Sequence, residues 1–136
     1  MGVNLDIVSL VRDALFELGC ADKVDDGLNP HSPIHINFRD GSEIRIDASD
    51  DIVTLIAPMP PVSEPILQNV ATQLLTFVMR EPSALFTPNR PVLLWYESHL
   101  SLEATLATNA RAMPAFRYAL EQFFEETRAL MQIIGR

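Results

Sequence analysis

Histidine and cysteine are the residue types that most often serve as nucleophiles, general bases or metal ligands, and the sequence contains three histidines and one cysteine. Cys20 follows Gly19 at the predicted end of a helix, where the negative end of the helix dipole disfavours a thiolate. His31 and His35 are four residues apart, but Pro33 between them excludes the helix that would bring both rings to one face. We therefore interpret Cys20 as a structural thiol and predict no metal site at the histidines.

The pattern Asp47-x-Ser49-x-Asp51 is similar to the start of a calcium-binding loop. Such a loop needs glycine at its sixth position and glutamate at its twelfth, and this sequence has Ile52 and Pro58 there. The sequence also contains no glycine-rich phosphate loop, no G-x-S-x-G motif and no zinc-spaced set of cysteines and histidines. It therefore predicts no catalytic residues, no metal and no cofactor, and favours a protein that is not an enzyme.

Composition narrows the choice of partners. The 136 residues include 10 Lys+Arg and 18 Asp+Glu, and the formal charge of −8 opposes binding to nucleic acid or to anionic lipid. No apolar run is long enough to cross a membrane, and a single cysteine fits a reducing compartment. We expect one cytoplasmic domain over residues 1–136, without membrane insertion.

Hydrophobic periodicity predicts a first helix over residues 4–18, with Asn4 as N-cap and Gly19 at its end. Its core-facing arc comprises Ile7, Val8, Val11, Ala14, Leu15 and Leu18. Leu5 and Phe16 lie together outside that arc, and Leu10 lies at its opposite rim. These three apolar side chains are either additional core residues or part of an interface, and the sequence alone leaves both interpretations open.

Alternating apolar residues predict a hairpin followed by a third strand over 52–57, which Met59-Pro60-Pro61 should end. A three-residue loop, Asp40-Gly41-Ser42, keeps apolar residues on one face of the hairpin. This loop pairs Phe38 with Ile44, Ile36 with Ile46 and His35 with Asp47. Since nearly every residue of the third strand is apolar, we expect both of its faces to be covered.

The second helix is predicted from the N-cap Ser63 to about Met79, and its apolar residues occupy half of its circumference or more. So wide a stripe needs a second partner besides the sheet. A loop over 81–90 leads to strands over 92–96 and 100–106, the first apolar on both faces, and a last helix starts around Pro114. The order α-β-β-β-α-β-β-α describes an α+β fold with three helices on a five-stranded antiparallel sheet.

The beginning of the sequence resembles a known family. The resemblance rests on the residues Leu5-Asp6-Ile7-x-x-Leu10-Val11-Arg12-x-Ala14-Leu15-x-x-x-Gly19-Cys20, followed by His31-Ser32-Pro33-Ile34. They are similar to the start of the class IB chaperones of bacterial type III secretion, the InvB/SpaK family. The resemblance is specific over about the first 35 residues, and size, acidity and element order fit the wider class I fold over nearly the whole chain.

The resemblance implies a cytosolic bacterial homodimer that binds the N-terminal segment of secreted effectors, holds it extended and delivers it to the export apparatus. The export-apparatus ATPase is a further candidate partner. On this basis we predict that Leu5, Leu10, Phe16, Ile36 and Phe38 contribute to an effector groove. The predicted dimer interface consists of Leu67, Ala71, Leu74, Val78 and Trp95.

Two other functions stay open at this level. A small α+β enzyme would use His35 and Asp47 as an acid–base pair inside a cavity. A regulatory adaptor would bind a folded partner instead of an extended one.

Overall fold

The computed structural model describes residues 6–19, 33–38, 42–49 and 52–135. The elements in chain order are α1 (Ile7–Glu17), β1 (Ile34–Asn37), β2 (Glu43–Ser49), β3 (Ile52–Pro61), α2 (Glu64–Asn69), α3 (Ala71–Val78), β4 (Phe86–Tyr96), β5 (His99–Leu106), a 3₁₀ turn (Thr108–Ala110) and α4 (Ala115–Ile134). The strands form one antiparallel sheet in the order β1-β2-β3-β5-β4. This confirms the predicted α+β fold and its five strands.

The core lies between one face of the sheet and the helices. Alternate residues of β3 point into it and are buried, and so are their cross-strand neighbours on β2 and β5. From the helix side, α1, α3 and α4 contribute residues such as Val11, Leu74 and Phe123 to the same cluster. The buried side of α4 recurs every three or four residues, as expected for an amphipathic helix on a sheet.

The ends of α1 are set by local chemistry. The Asp6 carboxylate is the N-cap, and it accepts hydrogen bonds from the Ser9 backbone N–H at 3.1 Å and from the Ser9 hydroxyl at 2.9 Å. These bonds hold the pKa of the Asp6 carboxyl below its usual value. At the other end, Gly19 has φ +76°, a left-handed conformation that glycine adopts without a steric cost. The structure confirms Gly19 as the end of the helix, whereas the cap is Asp6 instead of the predicted Asn4.

The β1–β2 hairpin has a different register from the predicted one. Ile36 pairs with Ile44 and Ile34 with Ile46, and the predicted pairing of His35 with Asp47 is wrong because His35 pairs with Arg45. A register shift of two residues leaves every side chain on its original face, so the alternation of apolar residues cannot distinguish the two arrangements. The loop tip itself lies outside the described residues.

The third strand, which was expected to be covered on both faces, is buried on one face, and the strand over 92–96, which is apolar on both faces, also has an exposed outer face. On the outer face of β3, Ile52 is 49% exposed, and on the outer face of β4, Val92 and Leu94 are also exposed. Both strands are longer than predicted. β3 runs on to Pro61 and β4 begins at Phe86, with shifts in register near their prolines.

The predicted second helix consists of two helices, α2 and α3, which meet at Val70. Ser63 caps α2 as predicted, because its hydroxyl accepts a hydrogen bond from the Ile66 N–H at 3.4 Å. Asn69 and Val70 are both weak helix formers, which is consistent with the break. None of the six residues of α2, all of which the structure describes, is buried, whereas α3 buries Leu74 and Phe77.

Candidate functional site

The long helix α4 presents two different flanks on either side of its buried face. Arg117, Phe124 and Arg128 are spaced seven and four residues apart, so they lie along one flank. Gln122 and Glu126 are four residues apart and lie along the opposite flank. The contacts of these five residues show that the first flank faces α1 and the end of β1, and the second faces the end of α3 and the segment before β4.

On the first flank, an ion pair joins α4 to the end of α1. Nη1 of Arg117 donates to Oε1 of Glu17 at 2.5 Å, and this hydrogen bond raises the pKa of the guanidinium further. Next to the pair in sequence, Phe16 is 76% exposed and Tyr118 is 49% exposed. The guanidinium of Arg117 also lies 4.7 Å from the centre of the Tyr118 ring. A charged contact thus joins two helices whose adjacent aromatic side chains are exposed to solvent.

Further along the same flank, α4 contacts the end of β1. The rings of Phe38 and Phe124 are stacked with their centres 4.1 Å apart and an angle of 22° between their planes. Both residues are only partly buried. The guanidinium carbon of Arg128 lies 5.8 Å from the centre of the Phe124 ring, within the range of a cation–π contact.

Phe124 follows Arg117 by seven residues, or about 10 Å of helix. We call Phe16 and the Phe38–Phe124 ring pair the aromatic surface, and Tyr118 lies beside Arg117 on the solvent side of α4. Two of its members, Phe16 and Phe38, were predicted from the sequence, and α4 connects them. Of the other predicted groove residues, Leu10 is partly buried and Ile36 is fully buried in the core. Leu5 lies outside the described residues.

On the second flank, a chain of polar contacts connects α4 to α3 and to the segment before β4. The Ser83 hydroxyl donates to Oε1 of Gln122 at 3.1 Å, and Nε2 of Gln122 donates to Oε2 of Glu126 at 2.9 Å. Nη1 of Arg80 lies 3.8 Å from Oε1 of Glu126, and the Arg80 guanidinium lies 4.2 Å above the Phe77 ring. The buried Glu126 carboxylate is therefore both hydrogen-bonded and paired with a cation.

The exposed residues of α3 and its C-cap comprise three polar ones, Thr72, Gln73 and Thr76, and four apolar ones. Leu75 is 57% exposed, Met79 64% and Val78 39%, and Ala71 is also exposed. We call these four residues the α3 stripe. The C-terminal end of α3 is held against β4, because Nη1 of Arg90 donates to the Val78 carbonyl oxygen at 3.1 Å. Val78 and Leu93 are among the residues that line one shallow surface pocket.

Trp95, which was predicted to lie near the dimer interface, is 43% exposed on β4. β4 is an edge strand, and its side chains alternate between the two faces of the sheet. Since Trp95 is two residues beyond Leu93, it points to the same side of the sheet as the pocket beside α3. The structure thus brings the exposed end of α3 and one face of β4 to the same side of the molecule.

The polar residues on the other face of the hairpin do not form the acid–base pair of the enzyme alternative. Nδ1 of His35 lies 2.6 Å from Oε2 of Glu43, whose other oxygen lies 3.9 Å from Nη2 of Arg45. Asp47 pairs with Thr54 on β3. Within the described parts of the chain, no group of three or more potential ligands could hold a metal ion, and no helix is long and apolar enough to cross a membrane.

The comparisons with known proteins agree with this architecture. The sequence profile of the invasion protein B family matches residues 19–97, which is more than half of the 136 residues. The chain belongs to the invasion protein B family. Membership of this family indicates a secretion-related chaperone and confirms the resemblance found at the start of the sequence.

A crystal structure of YbjN, a putative transcription regulator from E. coli, aligns with a TM-score of 0.55 at 13% identity, over 98% of this chain and 92% of YbjN. At this identity, the similarity to YbjN concerns the fold alone.

For this member of the invasion protein B family, the sequence did not identify three of the most exposed apolar side chains as interface residues. Leu75 and Met79 were placed in the wide apolar set of the second helix, but Leu74 was chosen for the interface. The structure places Leu74 in the core of its own subunit at 9% exposure and leaves Leu75 exposed. The sequence could have indicated this difference through Phe77. Phe77 is three residues after Leu74, so the two lie on the same side of the helix, and a large aromatic side chain favours the side that faces the core. No pattern in the sequence identified Tyr118 as an exposed aromatic residue.

Proposed function

We propose that this invasion protein B family member is a cytoplasmic, homodimeric chaperone. It binds the N-terminal segment of type III secretion effectors, keeps that segment extended and brings it to the export apparatus. The observation that carries the proposal is the aromatic surface. Phe16 and Tyr118 are next in sequence to an ion pair that joins the helices carrying them, so two solvent-exposed rings flank a contact between α1 and α4.

An extended segment suits the geometry around this surface. β1 lies at one edge of the sheet, and no strand pairs with its outer edge among the described residues. A client strand could add to that edge through backbone hydrogen bonds while its side chains contact the Phe38–Phe124 ring pair at the end of β1. Backbone pairing is independent of the client sequence, and the aromatic contacts supply affinity. This combination fits a chaperone that must accept an unfolded segment.

A second copy of the chain is the partner that we propose for the α3 stripe. The stripe is apolar and exposed, and α2, which precedes it, has no buried residue among its six described positions. A two-fold interface would place the stripe of one subunit against that of the other, with Trp95 nearby. We include Leu67 and Ala71 in this interface and replace the buried Leu74 by Leu75.

Binding and delivery need no chemical step by the chaperone, and we propose that this protein is not an enzyme. The bound segment stays unfolded, so it can be passed to the export apparatus, where the ATPase is a further candidate partner. The charge of −8 would keep a dimer with exposed apolar side chains from associating unspecifically.

Replacing Phe16 by aspartate tests the proposal. The tagged protein is used to capture effectors from a secretion-competent lysate, which are identified by mass spectrometry, and Phe16→Asp should lose them. The matched control is Ile52→Asp, because Ile52 is 49% exposed on the opposite face of the sheet and should not affect capture. Circular dichroism should show that both variants are folded.

Equal capture of effectors by Phe16→Asp and by the wild type would remove Phe16 from the site. Limited proteolysis of the captured complex separates the chaperone from the regulatory adaptor. An extended client stays cleavable outside one protected segment, whereas a folded partner resists cleavage throughout.

A further inference from the structure

Arg128 is the arginine that lies beside the stacked ring pair of Phe38 and Phe124. Arg45, Arg80 and Arg117 each lie within 4 Å of a glutamate carboxylate. Arg128 is exposed, and its described contact is with the Phe124 ring at 5.8 Å. Among the described residues, no carboxylate lies within ion-pairing distance of Arg128, although the chain has 18 acidic residues and only 10 basic ones.

The neighbours of Arg128 on its own helix do not neutralise it. Glu121 and Glu125 are exposed on the solvent side of α4. Neither lies within 4 Å of the guanidinium, even though Glu125 is three residues away and such pairs are common in helices. The guanidinium instead lies over the Phe124 ring of the stacked pair of Phe38 and Phe124. Among the described residues this cation has no carboxylate partner, and it lies beside an apolar contact site.

We propose that Arg128 selects client segments in which a carboxylate lies next to the apolar side chain that contacts the Phe38–Phe124 ring pair. The inference rests on the proposed function, since it concerns which residues an extended client carries. An apolar side chain would pack against the rings, and an aspartate or glutamate one or two positions away would pair with the guanidinium. Arginine suits this role because its planar donors can hold a carboxylate while the same group lies over a ring.

The overall charge of the chaperone makes this selection dependent on position. A net charge of −8 repels a carboxylate at most points along a bound segment. At Arg128 the repulsion is replaced by attraction, which favours the register that places a client carboxylate beside this arginine. Specificity of this kind combines one attractive contact with repulsion at the other positions, and it would fix where an otherwise variable segment lies on the surface.

Synthetic peptides provide the probe. We would use fluorescein-labelled 15-residue peptides with alternating apolar residues, in which each remaining position in turn carries Asp, Asn or Lys, and measure binding by fluorescence anisotropy. At one scanned position, the wild type should bind the Asp peptide about two- to fivefold more tightly than the Asn peptide, as expected for a solvent-exposed ion pair. Added salt should reduce the difference. Arg128→Glu should reverse the order of the Asp and Lys peptides at that position.

The control separates the local contact from the total charge. Arg128→Gln and Gln132→Glu each lower the net charge by one, and Gln132 is exposed one turn further along α4. Arg128→Gln should lose the preference for Asp, and Gln132→Glu should keep it. Two results would overturn the inference and leave the proposed function standing. The first is peptide binding that depends on Phe16 but shows no preference for Asp. The second is a preference for Asp that persists in Arg128→Gln. If no peptide of the set binds the wild type, the extended-segment function fails together with the inference.

Discussion

Leu75 offers the sharpest test of how two copies of this chain would associate. It is 57% exposed on α3, whereas Leu74 beside it is 9% exposed and packs within its own subunit. A change at Leu74 would therefore disturb folding and association together. Leu75→Ala should weaken the dimer and leave the folded subunit intact.

The expected loss of association free energy follows from how much of the exposed Leu75 side chain the dimer would bury. Burying a whole leucine side chain stabilises by roughly 1.5–3 kcal/mol, and alanine keeps part of the contact, so about 1 kcal/mol is lost per subunit. Because a two-fold interface contains the residue twice, the loss is about 2 kcal/mol per dimer. The dimer Kd should rise about 30-fold.

Sedimentation equilibrium over a range of protein concentrations would measure this Kd. Ile52→Ala is the control, since Ile52 is similarly exposed at 49% but lies on the outer face of the sheet. It should leave the dimer Kd unchanged. A wild type that is monomeric at micromolar concentration would refute the dimer itself. An unchanged Kd for Leu75→Ala would refute our placement of the interface on the α3 stripe.

Two further predictions concern the elements that support the aromatic surface. In a double-mutant cycle of Phe38→Leu and Phe124→Leu, chemical denaturation should give a coupling of about 0.5–1.5 kcal/mol, because the rings are stacked 4.1 Å apart; additive effects would mean that the stacking is not formed in solution. The lowered pKa of Asp6 means that its ionised form is favoured by folding, so its contribution is present above the ordinary carboxyl pKa of 3.8 and is lost as the pH falls through the lower folded-state value. Asp6→Asn should therefore flatten the acid end of a plot of unfolding free energy against pH, and an identical slope in both proteins would contradict the assigned cap.

The sequence predicted those features that depend on a single periodicity. The alternation of isoleucines in the hairpin gives the buried face of β1 and β2 whichever register is adopted, and glycine at position 19 marks the end of α1. Features that depend on long-range packing were not predictable in this way. The hairpin register shifts by two residues, and Phe38, which was expected opposite Ile44, stacks on Phe124 nearly ninety positions later.

The candidate site shows the same division. Phe16 could be recognised because it lies off the apolar arc of its own helix. Tyr118 could not, since its significance comes from Arg117 beside it and from the contact of that arginine with Glu17, one hundred positions away in the chain. Arg128 became notable only when its surroundings showed that it lacks a carboxylate partner among the described residues.

The two flanks of α4 have a consequence for how such a protein can evolve. One flank of α4 contacts α1 and the end of β1, which are proposed for cargo recognition, and the other flank contacts the end of α3, which is proposed for self-association. Point mutations on the recognition side could therefore change the proposed cargo preference without altering the side proposed for self-association. Lineages that share one quaternary arrangement would then diverge chiefly in the cargo they carry.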